Sequence, residues 1–208
     1  MFRYPKMPGP AGGKLEKCLA FEKYDGTNLH WEWHRDHGWH DFGTRSASYP
    51  MTPAGFADFR AKHTALGEAT GIFQEQFAER LTPILQSQGE AFVAFTEFLG
   101  ANSFAGLHKA DDPKRLVLID VFAVGTGFYD PWAFRELFGS LPVARVVYEG
   151  RFMGKFTEDV RAGKYAVAEG VVCKGGKGAD VWMAKIKTNA FMQRLKAAFA
   201  SDWEQYWE

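Results

Sequence analysis

The stretch "FEKYDGTN", residues 21–28, sets Lys23 between Glu22 and Tyr24 and then turns through Asp25-Gly26. A lysine amine attacks an electrophile only when deprotonated, and free lysine is almost fully protonated at neutral pH. Burial and nearby cations lower its pKa. A nucleophilic Lys23 therefore calls for other cations beside it, and Lys174 in "EGVVCK" and Lys185 and Lys187 in "AKIK" are the candidates. In a strand, Lys185 and Lys187 share one face and Ile186 takes the other. Two cations on one face suit a polyphosphate and disfavour a third ammonium. Taken alone, Lys23 reads as a surface lysine at a hairpin mouth.

The acids extend the constellation. Glu97 in "FTEFLG" and Glu169 in "AEGVV" each interrupt an apolar strand, where an unpaired carboxylate is costly. Each needs a cation, a metal or ligand hydroxyls, and a structural ion pair is the plainer alternative. Arg45 in "FGTRS" offers a planar donor suited to phosphate, or else a loop salt bridge. His30, His34, His37 and His40 fall within one hairpin. Their spacing reads as a wet hairpin face and tip rather than a metal site. Cys18 and Cys173 form no CxxC pair, so neither a zinc ribbon nor a disulfide framework is expected.

These residues need elements to hold them. Residues 1–14 are rich in Pro, Gly and Lys and read as an extended lead-in. The stretch 17–46 alternates, with Leu29, Trp31 and Trp33 on one strand face and His30, Glu32 and His34 on the other. The tryptophans are expected to pack in the core rather than stack on bases. "RDHG" is the hairpin turn, returning through Trp39 to Phe42. From Pro53 to about Gln88 apolar residues recur at three- and four-residue steps, which predicts two helices with Pro83 near the end of the second. "EAFVAFTEFLG", "KRLVLIDVFAVG" and "VARVVYEG" are strand-like, and "VAEGVVCKGG" with "VWMAKIKT" is a strand pair. "YDPWAFRELFGS" predicts a short helix capped by Asp130 with Pro131 at its first position, and "KFTEDVRAGK" another. Residues 188–207 read as a closing amphipathic helix.

The bulk numbers set limits. A chain of 208 residues suits one domain. Lys and Arg total 25 and so do Asp and Glu, which excludes a strong, non-specific nucleic-acid binder but leaves room for a local basic groove. No long apolar run or signal-like h-region is present, so a cytoplasmic protein with no membrane contact is expected. Strands and helices mix without a βαβ rhythm, which predicts an α+β fold.

The ordered set Lys23-Tyr24-Asp25-Gly26, Arg45 in "GTRS", Glu97 in "TEFLG", the strand "LVLIDVF", "EGVVCK" and "KIK" resembles the covalent nucleotidyltransferase superfamily of DNA ligases, RNA ligases and mRNA capping enzymes. Within it, "EKYDGTN" and "AEGVVCKGG...AKIKTN" are most similar to ATP-dependent RNA ligases of the Rnl2-like family. The match runs from about residue 18 to residue 190. The resemblance implies an α+β adenylation domain, with antiparallel sheets and flanking helices around an ATP groove.

It also implies a chemistry. Lys23 takes AMP from ATP as a lysyl-AMP. AMP passes to a 5′-phosphate of RNA, and a 3′-hydroxyl displaces it, with RNA repair as the broad setting. Glu97 would bind the ribose hydroxyls, and Glu169 would hold Mg2+ or Mn2+. Lys185 and Lys187 would hold the α-phosphate. Asn28 and Arg45 would lie at the phosphate end, and Glu22 and Lys174 would line the nucleotide pocket. Relatives commonly place a purine-stacking aromatic where this chain has Ile119, before Asp120. After Lys187 the 21 remaining residues read as one helix rather than an OB-fold or helical domain. A single domain spanning 1–208 is therefore expected, with strand sealing specialised or dependent on a protein partner that supplies the missing part. DNA nick sealing is the alternative within this chemistry. A non-catalytic nucleotide- or RNA-binding module is the alternative outside it.

Overall fold

The computed structural model describes residues 2–100, 107–109 and 111–199. Two antiparallel sheets organise them. Strands β1 (Lys17–Lys23), β8 (Val146–Arg151), β9 (Gly170–Gly175) and β10 (Trp182–Lys187) form a four-stranded sheet in the order β10-β9-β1-β8. Strands β2 (Thr27–His34), β3 (Gly38–Thr44), β4 (Ser48–Pro50), β5 (Ala91–Leu99), β6 (Arg115–Ala123) and β7 (Gly127–Phe128) form a six-stranded sheet in the order β4-β3-β2-β5-β6-β7. The chain passes from one sheet to the other between β1 and β2, at Tyr24-Asp25-Gly26. That turn packs closely on β5: a Cβ on Gly26 would meet the Phe98 carbonyl oxygen at 2.5 Å, so a residue with a side chain would push the turn off that strand.

The helices of residues 53–88 cover one side of the larger sheet. Helix α1 (Pro53–Lys62) is capped by Thr52, which accepts from the Gly55 amide. A second helical run comprises α2 (Ala69–Phe73), a π-segment (Gln74–Ala78) and α3 (Glu79–Gln88). Phe73, Phe77, Leu81 and Leu85 along it are fully buried. In a regular α-helix each four-residue step drifts by ~40° around the axis. The wider π turn opposes that drift and keeps the four side chains on one face. Apolar spacing alone predicts the run but not this widened turn, nor Pro83 lying inside α3. Helix α4 (Pro131–Phe138) is capped as expected, with Asp130 accepting from the Trp132 and Ala133 amides. Helix α5 (Gly154–Arg161) packs under the smaller sheet. Helix α6 (Asn189–Phe199) follows β10; the rest of the closing helix expected from the sequence lies outside the described residues.

The expected inward face holds: Leu29, Trp31 and Trp33 are buried, and Trp31 stacks on Phe73 with ring centroids 3.9 Å apart. The expected wet face does not. His30 is only 2% exposed and Glu32 is 9% exposed. The lead-in covers this side, with Phe2 against Phe122 and Tyr4 against Phe95, the residue paired across from His30. Burial pushes the His30 imidazole down to about 4, so it is a neutral interior ring. The lead-in is irregular, with one short turn at Pro10–Gly12, and its Pro8 carbonyl accepts from the Lys185 amide. Cys18 and Cys173 are free and buried.

Trp31 carries much of this packing and also donates to Thr96 Oγ1 at 2.9 Å. Trp31→Ala is expected to cost about 3–5 kcal/mol, read as a fall in the urea midpoint. A loss below about 1 kcal/mol would show that the stacked core is not what holds the larger sheet to its helices.

Candidate active site

The geometry of the site starts from strand register. In the smaller sheet Gly170 of β9 lies opposite Lys23 on β1 and opposite Lys187 on β10. Two residues further along, Val172 lies opposite Phe21 and Lys185. Three neighbouring strands therefore bring Lys23, Glu169 and Lys187 to one end of the sheet, although they are far apart in sequence. The approach is close: a Cβ on Gly170 would meet the Ile186 carbonyl oxygen at 2.0 Å. Lys185 is half-buried while Ala184 and Ile186 are buried in the core beneath, so the alternation expected for "AKIK" is present.

At that end Lys23 Nζ lies 2.7 Å from Glu169 Oε1, with the lysine side chain 22% exposed and the glutamate 4%. Burial alone would depress the Lys23 ammonium. The charges of Glu169, Glu97 and Asp25 outweigh it and hold the amine above its ordinary value. This reverses the expectation that neighbouring cations lower Lys23: its immediate partners are carboxylates. Burial raises the Glu169 carboxyl, while Lys23 and Lys187 pull it back. Burial also raises Glu97, to about 7, against the pull of Lys23 and with added repulsion from Glu169. Lys187 is buried, with its ammonium 5.6 Å above the Phe191 ring.

A cavity of about 290 Å³ opens beside these groups, between the two sheets. Glu22, Lys23, Asn28, Arg45, Glu97, Lys174 and Lys185 all line it. Glu169 and Lys187 sit next to it through Lys23. Its size is at the low end for small-molecule sites. Asn28 lies opposite Glu97 across β2 and β5, and Arg45 is exposed at the mouth. Glu22 is held by Arg145, Nε to Oε2 at 3.0 Å.

Lys174 lines the cavity but is already committed. Its ammonium donates to Asp120 Oδ2 at 2.7 Å and to the Ile119 carbonyl at 2.6 Å, and both charged side chains are almost wholly buried. Burial lowers Lys174 and raises Asp120, and the pair offsets both. The register of β5 and β6 skips Ile119, since Asp120 faces Phe95 and Leu118 faces Thr96. Such a bulge re-aims the local backbone, and here the Ile119 carbonyl meets Lys174. Tyr4 completes the group by donating its hydroxyl to Asp120.

Tyr4 is the residue that sequence reasoning missed. It reaches the cavity with Pro5, Lys6 and Met7; an aromatic in a Pro/Gly-rich lead-in was the only available sign. Tyr4, Phe21 and Tyr24 line the cavity along with Ile119, so aromatic surface is present although position 119 is aliphatic.

No family model and no curated protein sequence matches the chain. Solved structures do. An archaeal ATP-dependent RNA ligase aligns with a TM-score of 0.65 and 15% identity, over 96% of this chain and 52% of that one. A Naegleria gruberi RNA ligase variant solved with ATP and Mn aligns with a TM-score of 0.62 and 12% identity, over 91% of this chain and 57% of that one. An Aquifex aeolicus protein provisionally assigned as an ATP-dependent DNA ligase gives 0.61 and 15%, over 99% and 57%. The chain thus spans little more than half the length of each of these structures. Its mixed architecture of helices and antiparallel sheets is the fold of the nucleotidyltransferase domain of ligases. No described helix is long and apolar enough to cross a membrane.

Glu97 gives the site a pH signature. Its folded pKa of about 7 exceeds the ordinary 4.5, so between those values the folded chain keeps a proton that the unfolded chain has lost. That contribution to stability is fully present below pH 4.5 and is lost as pH rises through about 7. Glu97→Gln cannot ionise. It is expected to melt several degrees above the wild type at pH 8 and to lose that advantage near pH 5, by thermal unfolding across pH. A variant less stable than the wild type at pH 8 would contradict this reading.

Proposed function

We propose that this chain is the adenylating domain of an ATP-dependent RNA ligase of the Rnl2-like kind, acting through a covalent lysyl-AMP. The observation that carries the reading is Lys23 at the cavity edge, paired with Glu169 and accompanied by Glu97, Lys185 and Lys187. A surface lysine needs none of that company, and a lone structural ion pair needs no cavity.

In this reading Lys23 Nζ attacks the α-phosphorus of ATP. A nitrogen–phosphorus bond forms and the bond to pyrophosphate breaks. The proton must first leave Nζ, which lies 2.7 Å from Glu169 Oε1, and it passes to solvent once that ion pair is weakened. Lys185 and Lys187 are arranged to meet negative charge as it builds on the transferred phosphate. Glu97 is assigned to the ribose hydroxyls, and Asn28 and Arg45 to the phosphate end. Lys174 acts at one remove: paired with Asp120, it fixes the wall of the nucleotide pocket. Tyr4, Phe21 and Tyr24 are the candidates to stack on the adenine in place of Ile119.

Glu169 fits a second cation besides Lys23. Its Oε2 is buried and has no hydrogen-bond partner, a costly state for a carboxylate oxygen unless something else binds it. A divalent ion there, Mg2+ or Mn2+, would supply charge to neutralise the phosphates. Such an ion would weaken the hold of Glu169 on Lys23, and burial would favour the neutral amine.

AMP would then be transferred to a 5′-phosphate of RNA and displaced by a 3′-hydroxyl. RNA is proposed over DNA because two of the three aligned structures described above are RNA ligases; DNA nick sealing is the second substrate to test. A binding module without catalysis has one observation in its favour, the raised Lys23 pKa, which keeps the amine protonated until the ion pair is disturbed.

Intact-mass spectrometry after incubation with ATP and Mg2+ or Mn2+, with GTP in parallel, tests the reading. One added AMP with ATP, removed by Lys23→Ala, is the expected result. Folded wild-type protein that gains no adduct with either metal would leave the binding module as the better account.

A further inference from the structure

The β2–β3 hairpin carries a second group of ligating side chains, none of which lines the cavity. Glu32 of β2 and His40 and Asp41 of β3 each offer one donor atom, and these atoms all lie within 4.8 Å of one another. The clustering has a backbone cause. Glu32 lies opposite Asp41 but Trp33 lies opposite Trp39, so His40 is an extra residue in β3. In a regular strand His40 and Asp41 would face opposite sides; the bulge brings both to Glu32. His40 Nδ1 lies 3.1 Å from Asp41 Oδ2.

His30 supplies the independent sign of a ligand. It precedes Glu32 on the same strand face and its side chain is 2% exposed, with Nε2 3.5 Å from Glu32 Oε1. Yet both atoms are buried without a hydrogen-bond partner. Buried nitrogen and oxygen atoms left unsatisfied side by side are uncommon, because each loses its water for nothing in return. A cation on Glu32 removes the cost at Oε1. The hairpin tip differs: His34 and His37 stack at 5.2 Å, and His37 is exposed.

We propose that Glu32, His40 and Asp41 bind one divalent transition-metal ion, with Zn2+ the best match and buried His30 standing behind Glu32. One imidazole and two carboxylates make a three-donor nitrogen–oxygen set of the kind zinc accepts, with water in the remaining position. The two carboxylates balance its charge. Mg2+ prefers an all-oxygen shell and is a poor competitor. The ligands come from two neighbouring strands, so the ion clips β2 to β3. Asn28 is the second residue of β2 and Arg45 directly follows β3, so the clip steadies two side chains at the cavity mouth. The role is structural, and the site stands whether or not the chain is a ligase.

The test uses the whole chain, stripped with a chelator, equilibrated with Zn2+ and desalted, with bound zinc counted by elemental analysis and binding followed by calorimetry. The wild type is expected to retain one zinc per chain and to melt several degrees higher with it. His40→Ala and Asp41→Asn, both at the rim, are expected to bind at least tenfold more weakly, with circular dichroism confirming their fold. His37→Ala is expected to bind as the wild type does, and Mg2+ to give neither retention nor a melting shift. Wild-type protein that retains no zinc overturns the proposal whatever the variants do. So does full retention in folded His40→Ala, or loss of zinc in His37→Ala.

Discussion

The ion pair between Lys23 and Glu169 is the interaction around which the site is arranged. Two charges are held where burial disfavours each of them, and each offsets that cost for the other. Strand register makes the pairing possible: Lys23, Gly170 and Lys187 lie in a line across three strands, and Glu169 enters that line one residue before Gly170. The same pair that steadies the resting site also keeps the amine protonated. In the proposed reaction a competitor for Glu169 would have to free the amine, and the buried Oε2 of that residue has no hydrogen-bond partner to give up.

A second buried pair, Lys174 with Asp120, joins the two sheets. Lys174 stands on β9 and Asp120 on β6, and Tyr4 of the lead-in ties into the same carboxylate. Lys174 also lies 4.9 Å from the Phe21 ring centroid and 5.4 Å from that of Phe134, so the ammonium is held by aromatic faces as well as by charge. Replacing such a pair with apolar groups need not weaken a protein, but removing one partner strands the other. Geometry is the benefit here: the cavity wall between the sheets is set by a contact that tolerates little movement.

Periodicity made part of this legible in advance. Leu29, Trp31 and Trp33 alternate as a core face must, and Asp130-Pro131 marks a helix start by its own chemistry. The ordered motifs picked out Lys23, Glu97, Lys185 and Arg45, which the fold brings to one cavity. What escaped were features without a period. Bulges at Ile119 and His40 break the strand alternation and redirect side chains. The lead-in covers a face that alternation marks as wet, which buries His30. The charge balance at Lys23 was also out of reach, because it depends on which carboxylates the turn at Gly26 and the start of β9 bring within range.

The most direct test of this account is the titration of the Lys23 amine, followed by NMR of labelled lysine side chains in the wild type and in Glu169→Gln. In the wild type it is expected to titrate above an ordinary lysine, and in the variant at a clearly lower pH, because burial loses its strongest opponent. A wild-type Lys23 that titrates below the ordinary value, or one that Glu169→Gln leaves unmoved, would contradict the claim that this ion pair governs the site.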